Sequence, residues 1–459
     1  MAPTRPPPAS RLGLVVVLGV AALLRIPRAL LRWDEVSWLY AAYDASTVEA
    51  LRAGDLLGAL RFTGLHPPLY PLLDAGLELV APVPLLFLGM SVLCSWLAVV
   101  VVARHHLLAG LMLACGPLQL HYAAELNDYP LAALAVACVW VARERVAAGT
   151  LGAVWLGGAA VFAAWSHGLA GLVGLVAVLS VGRRAMPALA VLALGVLPLA
   201  PAVLELLGEP GTYRQPPFKA ELVVGDAVDR FGLAWLAWVP LGLLGSRHRP
   251  ALAFGVACTA AAIVGLQLVG VAAPHQFPYY VLLGPAFALL VAPAGRGAWL
   301  AIGVAGWTGG ASALESAGAA RDLLVDLERE RAIDVALAEA PADAALYLLE
   351  PPLLPDDDKR ATGAVLWRLE PWQPMPMVRP YAFDYADHRH GQPRRVGERV
   401  VYVNDWPRRE VSAAAAAHEQ LWVVVSRPGQ RQGYTSELAE RLGAQLTWIG
   451  DDALIVHRR

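Results

Sequence analysis

Two adjacent carboxylates, Asp34 and Glu35, directly follow the first apolar segment of the chain. Ionisable side chains at the edge of a membrane are costly unless they are solvated or used by the protein. Mutual repulsion and partial loss of solvent raise the pKa of at least one member of such a pair, and a carboxylate with a raised pKa is a stronger general base. A solvated helix end with ordinary loop charges would carry the same residues, so the pair alone leaves both interpretations open.

Further histidines, acids and tyrosines stand at the borders of other apolar segments. They are His66 in His66-Pro67-Pro68-Leu69-Tyr70, Glu125 and Tyr129 in the loop 121–130, His167 in Trp165-Ser166-His167-Gly168, and His275 and Tyr279 in the stretch 275–280. Each alone has a simpler interpretation, such as a capping histidine. If their loops face the same side, however, the groups converge, and convergence favours a functional site over scattered surface polarity.

The elements that position these residues are predicted to be membrane-spanning helices. The 459-residue chain is 57% hydrophobic and only 16% charged, whereas soluble chains carry roughly 25% charged residues. Its net charge of −2 provides no basic field for a polyanion, which argues against a nucleic-acid partner. A spanning helix needs about 20 apolar residues. The predicted spans are 12–31, 85–103, 107–120, 129–142, 151–165, 168–182, 186–206, 231–245, 250–273, 278–292 and 298–313.

The distribution of arginine predicts the orientation of these spans. With a cytoplasmic N-terminus, most loop arginines fall on the inner side and the acidic loops fall on the outer side, as the positive-inside rule requires. This assignment holds only if the segment 66–82 is an interfacial helix that does not cross the membrane. Residues 1–31 are not expected to be a cleaved signal peptide, because Arg25, Arg28 and Arg32 follow the apolar core without a small-x-small cleavage site.

The pattern changes near residue 315, where charged residues become dense. We therefore divide the chain into a transmembrane domain, 1–314, and a soluble domain, 315–459. Short strand-like runs alternate with helical patterns in the second part, which predicts a small α/β domain. The runs are Ala345–Leu349, Val400–Val403, Leu421–Val425 and Ala453–Val456, and a helical pattern covers Ser436–Leu442. Eleven spans place this domain outside the cytoplasm.

The order of these motifs resembles the GT-C superfamily of membrane glycosyltransferases. An Asp-Glu pair after the first span, an outer-loop His-Pro-Pro-Leu-Tyr and a Glu-x-x-x-Tyr entering the fourth span are similar to the protein-mannosyltransferase and aminoarabinose-transferase relatives, a group often called family 39-like. The resemblance covers about residues 12–312. It implies a polytopic helical fold of the GT-C type in the cytoplasmic membrane.

The resemblance also implies a reaction and a set of site residues. Such enzymes transfer a sugar, with inversion, from a polyprenyl-monophosphate carrier to an acceptor hydroxyl on the outer side of the membrane. By this resemblance, Asp34 deprotonates the acceptor and Glu35 supports it, while His66, Glu125 and Tyr129 line the cavity. The other outer-loop groups named above, His167, His275 and Tyr279, are expected to join the substrate site.

Two departures from the family pattern concern arginines that serve the carrier phosphate. Asn127 stands where many relatives have the arginine of Glu-x-Arg-x-Tyr, and Pro278-Tyr279 stands where many have Arg-Tyr. Arg25, Arg28 and Arg32 lie at i, i+3 and i+7 near the outer end of the first span, and arginine suits bidentate phosphate binding. We hypothesise that this stripe, together with Arg214 or Lys219, replaces the missing contacts. Alternatively, these arginines snorkel to lipid headgroups, or the chain is a degenerate relative without activity.

The predicted reaction needs no cofactor. The outer loops contain no Asp-x-Asp motif, which favours a metal-free reaction, although Asp34, Glu35 and Glu125 offer oxygen ligands for a divalent cation. The predicted partners are the lipid-linked donor, membrane lipid and a lipid, glycan or protein acceptor. A transporter or lipid flippase is the main alternative, but such proteins usually contain internal repeats and midplane charges, which this sequence lacks. A scaffold with a partner-binding external domain is a third possibility.

Overall fold

In the part of the chain that the structure describes, apolar helices make up the first two thirds, and mixed strands and helices make up the remainder. The computed structural model describes residues 10–32, 45–60, 67–80, 84–124, 127–201, 203–204, 242–243, 245–247, 249–268, 277–293, 296–328, 332–350, 394–396, 399–405, 408–425, 432–450 and 452–459. The chain forms two compact units, of which the first extends to Gly318 and the second contains the C-terminal residues from Ala319 onward.

The helices described up to Glu328 follow one another in chain order, and the last of them continues past Gly318, the end of the first unit. They are α1 (Arg11–Arg32), α2 (Ala45–Arg52), α3 (Leu56–Ala59), α4 (Leu69–Val80), α5 (Pro84–His105), α6 (Leu107–Cys115), α7 (Pro117–His121), α8 (Tyr129–Ala147), α9 (Ala153–Ser166), α10 (Gly168–Leu179), α11 (Ala185–Val196), α12 (Pro250–Leu268), α13 (Leu283–Val291) and α14 (Arg296–Glu328). A 3₁₀ turn over Phe277–Leu282 precedes α13. Others flank α11 at Gly182–Arg184 and Leu197–Leu199.

The lengths of these helices modify the predicted number of spans. Four helical segments in the described part of the chain are long and apolar enough to cross a membrane: Arg11–Ala29, Leu86–His105, Gly182–Leu199 and Pro250–Leu268. Three apolar helices are shorter: Ala153–Ser166, Gly168–Leu179 and Tyr279–Val291. The apolar helices are those of a membrane protein, but the described residues contain four helices of spanning length, fewer than the eleven predicted spans.

Two of the predicted segments illustrate the difference. The predicted span 107–120 breaks into α6 and α7 at Gly116 and Pro117, because proline lacks the N–H that a continuous helix needs. The predicted span 231–245 lies almost entirely outside the described residues. The predicted interfacial segment 66–82 contains the helix α4, and its position at the membrane surface stays a prediction.

The core of the first unit is built from small residues, which allow close approach of helices. Gly157 on α9 lies so close to Ala188 of α11 that a Cβ on the glycine would collide with it, and a Cβ on Gly174 of α10 would press tightly against Ala160 of α9. In a membrane, where lipid is as apolar as leucine, such close packing stabilises helix pairs. Trp140 is the largest fully buried side chain and fills the space beside Gly255 of α12.

One end of the helical unit is held by a group of charged side chains. Glu144, in the last turn of α8, forms ion pairs with Arg143 at 2.6 Å and with Arg249 at 3.2 Å. Arg249 also donates to the carbonyl of Leu289 at 3.0 Å, which connects α8 with α13. Burial, with Arg249 nearby, lowers the pKa of His106 to about 4, so this ring is neutral at pH 7.

Replacing Glu144 with glutamine is expected to destabilise the protein by about 3–5 kcal/mol, because it breaks a largely buried ion-pair group. Both arginine partners would remain largely buried, with side-chain exposures of 11% and 18%, and would lose their counter-charge. The measurement is the melting temperature of the purified protein in detergent. Arg104→Gln, at an exposed position of α5, is the matched control, and an equal loss in both variants would contradict the assignment.

The second unit contains a six-stranded sheet. Its strands are β1 (Ala345–Glu350), β2 (Arg394–Val396), β3 (Arg399–Asp405), β4 (Gln420–Val425), β5 (Gln445–Ile449) and β6 (Asp452–Arg458), and its helices are α15 (Ala332–Glu339), α16 (Arg408–Ala417) and α17 (Gln432–Leu442). The order is β2-β3-β1-β4-β6-β5. The central strands β3, β1 and β4 are parallel, and the other pairings are antiparallel.

The predicted C-terminal α/β architecture is confirmed. The four predicted strands are β1, β3, β4 and β6, and the predicted helix is the end of α17. The central strands are continuous apolar runs because both faces of the sheet are covered. One face packs against Val411 of α16 and Leu438 of α17, and the other packs against α15 through Ala332 and Ala336.

Candidate functional site

Three of the predicted substrate-site residues come together in the structure. Tyr129 begins α8, His167 lies between α9 and α10, and Tyr279 belongs to the turn 277–282. Their ring centroids are 5.8 Å apart for Tyr129 and His167, 6.0 Å for Tyr129 and Tyr279, and 5.7 Å for His167 and Tyr279. Segments far apart in the chain therefore form one group of rings, which we call the aromatic triad.

The start of α8 fixes the position of Tyr129. The side-chain oxygen of Asn127 accepts a hydrogen bond from the backbone N–H of Tyr129 at 3.0 Å, a local contact that asparagine forms readily before a helix. Pro130 follows at the first turn of the helix, where its fixed φ is favourable. Tyr129 itself is 8% exposed, so its ring belongs to the interior of the unit.

His167 serves as the N-cap of α10. Its Nδ1 accepts a hydrogen bond from the backbone N–H of Leu169 at 3.1 Å, so the neutral ring carries its hydrogen on Nε2. Because the cap fixes the ring, the imidazole is held against the two tyrosines. Two of the ring contacts are close to edge-on, with interplanar angles of 76° between Tyr129 and Tyr279 and 64° between His167 and Tyr279, which is the arrangement that aromatic quadrupoles favour.

The structure adds residues that the sequence prediction did not include. Tyr122 packs on Tyr129 with ring centroids 6.1 Å apart, and His121 packs on Tyr122 at 4.7 Å. Asp128, directly before Tyr129, is 1% exposed, and its position at the start of α8 is favourable for a negative charge. The signal for all three was available, since they stand in the same loop, 121–130, that contains Glu125 and Tyr129.

The predicted arginine stripe divides between two environments. Arg25 is 1% exposed, and its guanidinium donates to the Ser95 hydroxyl at 3.0 Å and to the carbonyl of Ala114 at 3.3 Å. Arg28 donates through Nε to the carbonyl of His121 at 3.0 Å, which connects α1 to the end of α7. The guanidinium of Arg25 thus bonds to groups of neighbouring helices, whereas the sequence predicted a phosphate as its partner. Arg32 ends α1, and its side chain lies outside the description.

The remaining predicted site residues lie outside the described part of the chain. They are Asp34, Glu35, His66, Glu125 and His275. Their roles as base and substrate contacts therefore stay predictions. Among the described residues, no group of three or more His, Cys, Asp or Glu side chains stands close enough to hold a metal ion, and the acids predicted as possible cation ligands are not among them.

The aromatic triad is suited to binding a sugar. Ring faces and edges contact the C–H groups of a pyranose or furanose, as they contact other polarised C–H donors. The imidazole and the phenols add hydrogen-bonding groups in a largely buried setting, where such bonds discriminate strongly between ligands. The triad contains no carboxylate, and the acceptor nitrogen of His167 is already bonded to the Leu169 N–H, so a general base for the reaction comes from outside the triad.

Comparison with solved structures shows which fold this is. The chain is similar to the crystal structure of ArnT from Cupriavidus metallidurans in the apo state, with a TM-score of 0.54 and 13% sequence identity over 96% of this chain and 97% of that one. At this identity the likeness concerns the fold. No family model matches the sequence, and no curated protein matches it at a significant level.

Proposed function

We propose that the chain is a membrane glycosyltransferase that moves a sugar from a polyprenyl-monophosphate carrier to an acceptor hydroxyl on the outer side of the cytoplasmic membrane. The observation that carries the proposal is the aromatic triad of Tyr129, His167 and Tyr279. Its members come from three of the loops predicted to face outward. The fold shared with ArnT along nearly the whole chain and the outer-loop motifs of the family 39-like relatives support the same function.

The proposed reaction is an inverting displacement at the anomeric carbon. Asp34 takes the proton of the acceptor hydroxyl, and the acceptor oxygen forms a bond to the anomeric carbon as the bond from that carbon to the carrier phosphate breaks. The products are the glycosylated acceptor and the free polyprenyl monophosphate. Glu35 supports the acceptor or the base. The triad, with His66 and Glu125, holds the sugar in line for attack.

The leaving phosphate requires positive charge as negative charge develops on it. We assign this role to Arg28 and Arg32 at the outer end of α1, with Arg214 or Lys219 as further candidates. Arg28 donates through Nε to the His121 carbonyl, which attaches it to the loop 121–130, and the planar guanidinium suits the geometry of a phosphate. The contacts of Arg25 with Ser95 and Ala114 assign it to the packing of α1.

Arg28→Ala is expected to weaken binding of the lipid-phosphate sugar by about tenfold to a hundredfold, because charge-assisted hydrogen bonds of this kind contribute about 1.5–3 kcal/mol. Binding is measured as the donor Kd of purified protein in nanodiscs. Arg11→Ala, at the opposite end of the same helix, is the control for loss of charge. Unchanged donor affinity in both Arg28→Ala and Arg32→Ala would contradict the assignment.

The proposed orientation follows from the arginine distribution and has a cytoplasmic N-terminus. It puts the triad and the C-terminal domain on the outer side, where a lipid-linked sugar is presented. In this position the α/β domain contacts the acceptor. Attaching reporter groups to each terminus and measuring their accessibility from the outside tests the arrangement, and an outward N-terminus would contradict it.

The function is tested with a panel of polyprenyl-phosphate sugars. Purified protein is incubated with each donor, with and without candidate lipid, glycan and protein acceptors, and release of polyprenyl monophosphate is measured. We expect one donor class to be hydrolysed or used for transfer. Movement of the intact donor across a vesicle membrane without bond cleavage would instead favour a flippase and contradict the proposal.

A further inference from the structure

The turn 277–282, which carries Tyr279, is held from another part of the chain by a buried hydrogen bond. The side-chain amide of Gln119 on α7 donates to the backbone carbonyl of Val281 at 2.7 Å. Gln119 is 5% exposed and Val281 is 2% exposed, so water does not compete for this bond. A buried amide that loses its acceptor costs more than the bond is worth in solvent, and the contact therefore fixes the relative position of the two segments.

The space that this bond occupies is provided by a glycine. A Cβ atom built on Gly284, at the start of α13, would collide with the Nε2 atom of Gln119, closer than real Cβ atoms ever approach. A Cβ at position 284 requires the amide to move, and we expect this movement to weaken its bond to the Val281 carbonyl. Gln119 of α7 and Gly284 of α13 are thus both needed for this contact.

A second bond holds the neighbouring residue of the same turn. The hydroxyl of Tyr280 donates to the side-chain oxygen of Gln267 on α12 at 3.0 Å, and Gln267 is 1% exposed. Residues 280 and 281 are therefore attached to two different helices, and Tyr279, directly before them, contributes its ring to the triad. A short 3₁₀ turn has poorer internal hydrogen bonds than an α-helix, so its conformation depends on such outside contacts.

The helix that carries Gln119 also reaches the other parts of the candidate site. His121, two residues further on, accepts the hydrogen bond from Arg28 through its carbonyl. Tyr122 follows and packs on Tyr129 of the triad. The five-residue helix α7 therefore contacts α1 near the proposed phosphate ligands, the tyrosine that begins α8, and the turn that carries Tyr279.

We propose that Gln119, whose amide packs against Gly284, is a positioning residue. Its hydrogen bond to the Val281 carbonyl places Tyr279 in the sugar site. The inference rests on the proposed function for the consequence in catalysis. The attachment itself does not depend on that function and is measured separately.

The first measurement is amide hydrogen exchange of the full-length protein in nanodiscs without donor. Gln119→Leu replaces the amide with a slightly shorter apolar side chain and removes the donor, and we expect the amides of 279–282 to exchange about tenfold faster, while α9 is unchanged. Gly284→Ala is expected to give the same result. Thr308→Val, which removes a hydroxyl bonded to the carbonyl of Val304 in α14, is the matched control and is expected to leave 279–282 unchanged.

Combining the two substitutions tests whether Gln119 and Gly284 act through the same contact or independently. In the Gln119→Ala background the amide is absent, so Gly284→Ala has room and is expected to cause no further acceleration. Equal and additive effects of the two substitutions on the exchange of 279–282 would contradict the proposed packing of the Gln119 amide against Gly284. Unchanged exchange of 279–282 in both Gln119→Leu and Gly284→Ala would overturn the inference.

The second measurement is donor cleavage. We expect Gln119→Leu to lower kcat/KM for the donor about tenfold in the native background and to have almost no effect in a Tyr279→Ala background, because the residue that it positions is then absent. A general loss of folding would reduce activity in both backgrounds, and that result overturns the positioning role. Faster exchange with undiminished cleavage would contradict the proposed role of Tyr279 in donor binding, and with it the catalytic part of the inference.

Discussion

Asp34→Asn is expected to abolish sugar transfer while leaving the protein folded. Removing a general base lowers turnover by about a hundredfold to ten-thousandfold, and asparagine keeps the shape of the side chain but cannot accept the proton of the acceptor. The measurement is the turnover number with the donor that the native protein uses. Donor affinity should change little, because the sugar and the phosphate are bound by other residues in the proposed mechanism.

The matched control for this experiment is Asp44→Asn, which removes a carboxylate from the same outer loop. It is expected to retain nearly native turnover. Glu35→Gln is expected to give an intermediate loss, since Glu35 supports the reaction without taking the proton. Transfer by Asp34→Asn at the native rate would contradict the assignment of Asp34 as the base.

Substitution of His167 is expected to separate its structural contribution from its contribution to the site. His167→Asn retains a side-chain acceptor for the Leu169 N–H, so the cap of α10 is kept, but it removes the ring from the triad. We expect a loss of about tenfold to a hundredfold in kcat/KM with a nearly unchanged melting temperature. His167→Ala removes the cap as well, and should add a destabilisation of about 1 kcal/mol.

The comparison of the two variants makes this prediction specific. Ser180→Ala, at the C-terminal end of the same helix, is a control for general disturbance of α10 and is expected to retain activity. Full activity of His167→Asn would show that the histidine serves only as a cap. A large loss of stability in His167→Asn would contradict the view that the cap and the ring have separable roles.

The sequence predicted the meeting of the triad because loop sidedness is a property of chain order. Once alternate loops are assigned to one side of the membrane, Tyr129, His167 and Tyr279 share a side whatever the details of packing. The contact through Gln119 has no such signal, because its partner is a backbone carbonyl 162 residues away. Position 119 reads as one polar residue in an apolar segment, and only tertiary structure supplies its acceptor.

The arginines of α1 show where a one-dimensional pattern reaches its limit. Spacing along an ideal helix places Arg25, Arg28 and Arg32 near one stripe, but the neighbours of the helix decide which part of that stripe is covered. Ser95 and Ala114 approach Arg25, whereas Arg28 meets the end of α7. The sheet was easier to predict, since the apolar runs of its buried strands are local in the sequence. Strand β2 was missed because it is short, and β5 because it is largely exposed.

The buried guanidinium of Arg25 has a consequence for the biogenesis of the protein. Its partners Ser95 and Ala114 follow 70 and 89 residues later in the chain, which at the usual rate of synthesis means roughly 4 to 18 seconds of translation. Until they arrive, a helix that has entered the bilayer carries a charged group without these partners, which is costly in lipid. We therefore expect stable insertion of α1 to be completed only when α5 and α6 assemble with it, because their neutral acceptors then solvate the charged guanidinium.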